Sequence, residues 1–229
     1  MITTDPYSAP AHGHRGESSA RPGSPAGLTI AVSREAGARG GSIARRVGKR
    51  LGWQVYTQEL LEFLCANDAA RQSVLADVPH DAVDWVDAQL GRLRTNRLAD
   101  PGGADGDMPR LILTFAARGQ VVLVGRGAGY YLPRDISLHT RIVAPLADRI
   151  AHMADWLRLT RDEAAEQVRH RDERRADFLL KHFGHRTADP YDFDLVLNSA
   201  FLGEEACADA VLAALNGKQD YLEPDSRLN

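Results

Sequence analysis

The sequence predicts an α/β fold in which a parallel five-stranded sheet is flanked by helices. Five short apolar runs of β type are spread along the chain, and helical patterns separate them. Strands that alternate with helices indicate βαβ units and therefore a parallel sheet. The 229 residues are 44% hydrophobic, which is enough for one well-buried core with a smaller subdomain attached to it.

The first strand and the loop after it are predicted between Leu28 and Ala44, where the sequence reads LTIAVSREAGARGGSIA. The apolar run gives the strand, closely spaced glycines allow a tight loop, and Ser42 begins a helical pattern that continues to Leu51. The first turn of such a helix carries unpaired N–H donors and a partial positive charge, so it favours an anion. This order of elements indicates a phosphate-binding loop.

The loop departs from the complete phosphate-binding motif GxxxxGK[ST]. Arg34 and Arg39 stand where that motif has glycines, and Gly40 stands where it has the lysine. Because an arginine binds phosphate through two parallel N–H groups, Arg39 is a candidate replacement for the lysine. The alternative is a glycine turn between a strand and a helix that binds no ligand.

The remaining elements follow in the order that βαβ units require. Further strands are predicted at Trp53 to Tyr56, Val121 to Val124, Leu138 to Val143 and Phe193 to Asn198. Further helices are predicted at Thr57 to Asn67, His80 to Arg94, Pro109 to Gly119 and Thr160 to Phe183. The segment from Ala99 to Asp107 is dense in glycine and aspartate, which predicts a flexible loop at the edge of the site.

Both ends of the chain are predicted to lie outside the folded domain, which spans residues 28–217. Residues 1–27 are rich in Pro, Gly, Ser, Ala and His and lack hydrophobic periodicity. Such a segment does not bury enough apolar surface to offset its ordering entropy, so a disordered tail is expected there. Residues 218–229 are expected to form a C-terminal tail.

Charge and cysteine content restrict the classes of partner. The chain has 28 basic and 31 acidic residues, a net charge of −3, which does not favour broad nucleic-acid binding. No apolar run approaches the roughly 20 residues that span a bilayer. The two cysteines lie in apolar helical patterns and are expected to be core thiols. The sequence therefore predicts a cytoplasmic protein that binds small polar substrates, without nucleic acid or membrane, and it does not indicate an oligomeric state.

A second candidate site follows the strand VVLV, where the chain reads GRGAGYYLPRD. Arg126 then stands at the carboxyl end of a central strand, which is where open parallel sheets bind their ligands. An arginine at that position is able to hold a phosphate group. The alternative is a glycine-rich strand exit whose arginine pairs with a surface carboxylate.

The third candidate is the long helix from Thr160 to Phe183, which opens with a capping box at Thr160. Asp172 and Arg175 lie three residues apart on one face of this helix, and Arg171 flanks that face. A mobile helix with several arginines suits a lid that closes over a transferring phosphate, where negative charge must be neutralised and water excluded. The alternative is a solvated helix with Asp–Arg pairs.

Other catalytic chemistries find little support in the sequence. His182 and His185 lie close together, but neither an HExxH motif nor a nearby cysteine pair accompanies them, so a metal-binding cluster is not expected there. No GxSxG motif is present to supply a serine nucleophile. Phosphoryl transfer needs no covalent nucleophile, because it depends on positioning and charge.

Together these segments resemble the cytidylate kinase-like proteins, relatives of bacterial cytidylate kinase among the P-loop nucleoside monophosphate kinases. The resemblance covers about residues 28–215. It is carried, in this order, by IAVSREAGARGGSIARRVGKRLG, VVLVGRGAGYYLP, RHRDERR and YDFDLVLNSAFL. It implies a three-layered P-loop kinase fold with a parallel five-stranded sheet, a helical substrate region at residues 57–119 and a lid region at residues 145–190.

The resemblance also implies an activity, which is ATP- and Mg²⁺-dependent phosphorylation of a CMP-like nucleoside monophosphate or a related small acceptor. Arg126 would hold the acceptor, Arg171 and Arg175 would neutralise the transition state, and Asp172 would orient them. The residues that it assigns to catalysis are Arg39, Arg126, Arg171, Asp172 and Arg175. The residues that it assigns to the donor phosphates are Ser33, Arg34, Gly37, Ala38, Arg39, Gly40, Gly41 and Ser42, with Ser42 near Mg²⁺.

Two other functions stay open on the sequence alone. A catalytically degenerate protein of the same fold would bind a nucleotide and act in sensing or interaction, and the absent loop lysine favours this alternative. A purely structural protein would bind neither ATP nor a monophosphate.

Overall fold

The computed structural model describes residue 25 and residues 27–76, 80–95, 107–184 and 189–222. The strands are β1 (Thr29–Arg34), β2 (Gln54–Tyr56), β3 (Val121–Val124), β4 (Ser137–Val143) and β5 (Leu195–Asn198). Their spatial order is β2-β3-β1-β4-β5, and all neighbouring strands are parallel. The predicted α/β fold with a parallel five-stranded sheet is thus confirmed.

Helices cover most of the described residues outside the sheet. They are α1 (Gly40–Leu51), α2 (Gln58–Ala66), α3 (Asp68–Ala76), α4 (His80–Thr95), α5 (Asp107–Arg118), α6 (Ala128–Tyr131), α7 (Leu146–Leu157), α8 (Arg161–Phe183) and α9 (Ser199–Leu222). Helix α8 begins with the predicted capping box, in which Glu163 N donates to Thr160 Oγ1 and Thr160 N donates to the Glu163 carboxylate. The sequence did not predict α3 and α7, which bury few side chains: none in α3 and only Met153 in α7.

Two apolar cores lie on opposite faces of the sheet and produce three layers. One core packs α2, α4 and α5 on the sheet around Phe115, and the other packs α1 and α9 around Ile43. A third, smaller cluster joins Ala36, in the loop after β1, to Met153 of α7 and Val168 of α8. Helix α8 therefore has a packing contact with the loop that is separate from both main cores.

The strand order determines where a ligand can bind. Strand β1 lies between β3 and β4, so the chain turns towards opposite sides of the sheet after β1 and after β3. Open parallel sheets bind ligands at such a switch point, beyond the carboxyl ends of the strands. Gly125 N donates to Val32 O at 3.0 Å, which brings the turn after β3 beside the end of β1. Arg34, at the end of β1, and Arg126, after β3, therefore lie next to the same space beyond the sheet.

Several predicted boundaries differ from the structure or lie outside it. Helix α9 continues to Leu222, past residue 217, with a kink at Gly203 where φ is 78°. Residues 1–24 and 26 of the expected N-terminal tail are outside the described residues. The expected loop from Ala99 to Asp107 is also outside them, except that Asp107 begins α5.

Two expectations from the sequence concern the helices: that none spans a membrane and that both cysteines lie in apolar helical segments. Within the ranges described above, no helix has the length and apolar character that crossing a membrane requires. Cys65 is partly buried and Cys207 is buried, and both are free thiols. The interpretation of both cysteines as thiols in apolar helices agrees with this arrangement.

Gly48 allows α1 to pack closely on the sheet edge. A Cβ at this position would overlap Val55 Cγ2 and lie 2.9 Å from the Trp53 carbonyl oxygen. We expect Gly48→Ala to lower the free energy of unfolding by about 1 to 3 kcal/mol in urea denaturation, because the packed neighbours must shift. Gly217→Ala is the control, since Gly217 lies in α9 with nothing within 4 Å of its Cβ position. There, alanine should raise the free energy of unfolding by about 0.5 to 1 kcal/mol, and equal losses at both positions would contradict the prediction.

Candidate active site

A cavity of about 550 Å³ lies beyond the carboxyl ends of β1 and β3 and extends along the sheet to β4. Its walls come from β1, α2, the turn after β3, α8 and the segment before β5. The charged residues that line it are Arg34, Arg126, Arg134, Arg171, Arg174 and Arg175, with Glu59, Glu62 and Asp192. Six guanidinium groups against three carboxylates give a positive site that favours an anionic ligand.

Arg34, the last residue of β1, occupies space that two glycines leave free. A Cβ on Gly125 would overlap Arg34 Nη1, and a Cβ on Gly40 would lie 2.5 Å from Arg34 Cβ. The Arg34 guanidinium donates from Nη2 to Gln58 Oε1 at 3.2 Å. Burial, followed by repulsion from Arg175, lowers the pKa of Arg34 to about 10. Arg34 therefore stays protonated at neutral pH and contributes positive charge to the cavity.

Arg126 and Arg175 enter the cavity from different elements and share one property. Arg126 pairs with Glu62 of α2 and lies 5.1 Å from the centre of the Phe178 ring. Arg175 donates from Nη1 to Asp172 Oδ1 at 3.2 Å. In both arginines the Nε–H group is buried and has no hydrogen-bond partner among the described residues. Both side chains line the cavity, so their guanidinium groups add to its positive charge.

Asp172 joins α8 to the loop after β1. Its Oδ1 accepts from Ala36 N at 2.8 Å and from Arg175, and its Oδ2 accepts from Arg149 Nη1. Arg149, on α7, also donates to Ala36 O at 3.2 Å and lies 3.4 Å from Glu35 Oε2. Only 11% of the Arg149 side chain is exposed. Helix α8, α7 and the loop are therefore held together at one point, and Asp172 positions the Arg175 guanidinium.

The glycine loop itself lies outside the cavity between Gly37 and Ser42. Gly37 has φ of 80°, and a Cβ there would lie 2.5 Å from Arg149 O, so this glycine allows α7 to approach. Ala38 is fully buried, and its carbonyl accepts from Ser199 Oγ at 2.8 Å. Gly37 thus has a packing role that does not depend on a bound phosphate.

The predicted site residues separate into two groups. Those that the structure brings together around the cavity are Ser33, Arg34, Arg126, Arg171 and Arg175. Arg39 and Ser42 are directed instead towards α9, where Arg39 Nε lies 3.8 Å from Glu204 Oε1 and Ser42 Oγ donates to Glu204 Oε2. Gly40 and Gly41 form the start of α1. Asp172 acts behind Arg175 and is not part of the cavity lining.

Ser42 does not lie in a site suited to a resident Mg²⁺ ion. The neighbouring carboxylate, Glu204, also pairs with Arg39 at 3.8 Å and with Arg46 at 3.0 Å. A divalent cation there would lie against two guanidinium groups, which repel it. Across the part of the chain that the structure describes, no cluster of three or more His, Cys, Asp or Glu residues is suited to hold a metal ion. The residues present therefore do not fit a protein-built Mg²⁺ site.

His139 lies at the inner end of the cavity, on β4. Ser137 Oγ donates to Pro133 O at 2.6 Å and lies 2.8 Å from His139 Nε2. Burial, followed by the positive charge of Arg134, lowers the pKa of His139 to about 4. The imidazole is therefore neutral at pH 7.

The neutral state of His139 predicts that stability depends on pH. An ordinary histidine has a pKa of about 6.5, so the unfolded chain binds an extra proton between about pH 4 and pH 6.5. The stabilising contribution is complete above that window and is lost as pH falls through it, by up to about 1.4 kcal/mol per pH unit. We expect the free energy of unfolding, measured by urea denaturation, to decrease less between pH 6.5 and pH 4 in His139→Asn than in the original chain. Equal pH slopes in the two proteins would contradict this assignment.

Some residues of the site were not identified from the sequence. Glu59 and Glu62 lie three residues apart in a helix expected on the substrate side, so the sequence did carry a signal for them. Arg149 and Asp192 had no such signal, because only the tertiary fold brings α7 to the loop and the segment before β5 to the cavity. Tyr130 lies within the recognised GRGAGYYLPRD stretch, but its spacing alone assigns it no role.

Comparison with known proteins identifies the family of this chain. The model of the cytidylate kinase-like family matches residues 29–200. A cytidylate kinase from Ignicoccus hospitalis is 25% identical over 182 residues, which cover 80% of this chain and 95% of that protein. A cytidylate kinase from Sulfolobus acidocaldarius is 32% identical over 84 residues, covering 37% of this chain and 45% of that protein. A crystal structure of an uncharacterized protein from Eubacterium ventriosum has a TM-score of 0.59 at 14% identity, covering 83% of this chain and 98% of that one.

Proposed function

Because the chain belongs to the cytidylate kinase-like family and has its three-layered P-loop kinase fold, we propose that it transfers a phosphoryl group from ATP to a nucleoside monophosphate or a related small acceptor. The observation that carries this proposal is the group of arginines in the cavity. Six guanidinium groups line this cavity against three carboxylates, so the site has an excess of positive charge. A phosphate group suits such a site, because arginine binds phosphate through charge-assisted hydrogen bonds.

In this proposal Arg126 binds the phosphate of the acceptor at the carboxyl end of β3. The transferring group then lies between the acceptor and α8, where Arg171 and Arg175 stabilise the negative charge that builds on its oxygens. Asp172 holds Arg175 in that direction. An acceptor phosphate oxygen is already a nucleophile, so the chain need not supply a general base.

We assign the ATP phosphates to the start of α1. The first helical turn has N–H groups without intrahelical partners, and Gly40 and Gly41 present no side chain to obstruct them. Arg39 and Ser42 stand at the same turn, and a nucleotide bound there would compete with Glu204 for both. Mg²⁺, which neutralises phosphate charge in this class of reaction, would arrive with the nucleotide, since Glu204 already pairs with arginines.

Composition agrees with a small anionic substrate. The net charge of −3 leaves the arginines of the cavity as a local positive site in an acidic protein. Such a distribution favours a nucleotide over a nucleic acid. We further propose that the protein acts in the cytoplasm, where ATP and nucleoside monophosphates are available.

The test is an assay of ADP formation with ATP, Mg²⁺ and one acceptor at a time. Suitable acceptors are CMP, UMP, dCMP, AMP and GMP, with a reaction lacking acceptor as the control. We expect ADP to form at a rate that depends on at least one acceptor and saturates with it. ADP formation that is the same without acceptor would indicate hydrolysis and would contradict the proposed transfer.

A second function, nucleotide binding without turnover, is favoured by one feature of the loop. Gly40 replaces the usual lysine, and the nearest candidate cation, Arg39, pairs with Glu204. This alternative predicts that ATP raises the melting temperature while no acceptor supports ADP formation. The same set of reactions therefore separates the two functions.

A further inference from the structure

The cavity changes in chemistry along the sheet. Arg34 stands at its outer end, and three residues earlier in β1 Ala31 pairs in register with His139 of β4. At about 3.3 Å per residue, these two positions are about 10 Å apart along the strand. The inner end is lined by Tyr130, Leu132, His139, Leu179, Asp192 and Phe193. Arg134 also reaches this end, where its Nη2 donates to the Asp192 carbonyl oxygen. A phosphate among the other arginines would leave the inner end to the uncharged part of the same molecule.

Three contacts define the inner end. Tyr130 Oη donates to Asp192 Oδ2 at 2.9 Å, which fixes the carboxylate. Asp194 N donates to the His139 carbonyl at 2.8 Å, so the segment that carries Asp192 runs beside β4. Gly129 lies against the imidazole, because a Cβ there would be 3.1 Å from His139 Nδ1. The side chains of Tyr130, His139 and Asp192 therefore border one space.

The protonation states at the inner end favour acceptance of hydrogen bonds from a ligand. Burial, together with the hydrogen bond to Asp192, raises the pKa of Tyr130, so the phenol stays protonated and donates to the carboxylate. Asp192 Oδ1 receives no hydrogen bond from any residue in the described ranges. A carboxylate oxygen with spare lone pairs in a cavity attracts an amino or hydroxyl group. It also repels phosphate, which would keep the charged end of a ligand among the arginines.

We infer that Asp192, held by Tyr130, selects the acceptor by accepting a hydrogen bond from an amino or hydroxyl group on its uncharged part. This inference rests on the proposed function, because it concerns the same cavity and the molecule whose phosphate the arginines bind. Asp192 contacts the ligand directly, whereas Tyr130 is a positioning residue. A site built to bind a donor group discriminates strongly against analogues that lack it.

Isothermal titration calorimetry of the full chain with CMP, UMP, dCMP and inorganic phosphate tests the inference. UMP has a carbonyl oxygen where CMP has the amino group, and dCMP lacks the 2′-hydroxyl group. We expect Asp192→Asn to bind the donor-bearing ligand about tenfold more weakly and inorganic phosphate equally well. If Asp192→Asn loses a preference for CMP over UMP, the donor is the amino group. If it loses a preference for CMP over dCMP, the donor is the 2′-hydroxyl group.

Two further variants complete the experiment. Tyr130→Phe keeps the ring and removes the hydroxyl group. It should reduce the same ligand preference, with a smaller loss of affinity than Asp192→Asn. Glu173→Gln is the matched control, because Glu173 is an exposed carboxylate on α8, 4.0 Å from Arg169, and it should change nothing.

Two outcomes would overturn the inference while leaving the proposed function intact. Equal losses for all four ligands in Asp192→Asn would show that the carboxylate supports the fold. Unchanged preferences in both Asp192→Asn and Tyr130→Phe would show that neither residue reads the acceptor. A wild-type chain that binds no nucleoside monophosphate would overturn the proposed function and the inference with it, so the two failures are distinguishable.

Discussion

Replacing Arg175 with alanine should lower kcat for phosphoryl transfer by about a hundredfold to a thousandfold. The Arg175 side chain is held by Asp172, lines the cavity and has a buried Nε–H group without a partner in the described part of the chain. Removing one preorganised donor from the charge that develops in a transition state has an effect of this size. Initial rates with saturating ATP and acceptor measure it.

Arg169→Ala is the matched control on the same helix. Arg169 pairs with Glu166 at 2.7 Å, and its side chain is 63% exposed, so it faces solvent and away from the cavity. We expect kcat to stay within about twofold of wild type, as for most exposed ion pairs. Equal losses in Arg169→Ala and Arg175→Ala, or full activity in Arg175→Ala, would remove Arg175 from the proposed mechanism.

Replacing Arg149 with methionine should lower the free energy of unfolding by about 3 kcal/mol. The side chain is almost fully buried and contacts Asp172, Glu35 and the Ala36 carbonyl. Breaking a buried ion pair by removing one partner costs about 3 to 5 kcal/mol, although Asp172 keeps its contact with Arg175 and Glu35 lies 3.7 Å from Arg141. We expect the lower value because Asp172 and Glu35 keep some exposure to solvent. Urea denaturation followed by circular dichroism measures the change.

The same substitution should also lower kcat, because Asp172 would lose the contact that fixes its Oδ2 and Arg175 would be less well oriented. Arg45→Met is the control, since Arg45 is an exposed residue of α1. Its free energy of unfolding should stay within about 0.5 kcal/mol of wild type. If Arg149→Met were as stable as Arg45→Met, the contact among α7, α8 and the loop would not stabilise the fold as the structure indicates.

The fold was largely predictable because its signals are local. Alternating apolar runs and helical patterns specify βαβ units, and the capping box at Thr160 specifies where α8 begins. Helices α3 and α7 were not predicted, since a helix that buries few side chains leaves a weak apolar pattern. The strand order was not predicted, because it depends on contacts between distant segments and not on a local pattern.

The site was less predictable, because its contacts join residues far apart in the chain. The glycine pattern of the loop was visible, but the reasons for it lie elsewhere: Gly37 faces the Arg149 carbonyl, and Gly40 faces Arg34. The spacing of Asp172 and Arg175 predicted their proximity. The contact from Ala36 N to Asp172 spans 136 residues, so no local signal could predict it. For the same reason the direction of Arg39, towards Glu204, became visible only in the folded chain.

The central claim is that the arginine-lined cavity binds an acceptor for the γ-phosphoryl group of ATP. The most direct measurement incubates the full chain with γ-³²P-labelled ATP, Mg²⁺ and each nucleoside monophosphate, then separates the nucleotides and locates the label. We predict label in the diphosphate of at least one acceptor, appearing at least about a hundredfold more slowly with Arg175→Ala. Label that stays in ATP or appears only as inorganic phosphate, for every acceptor, would contradict the claim.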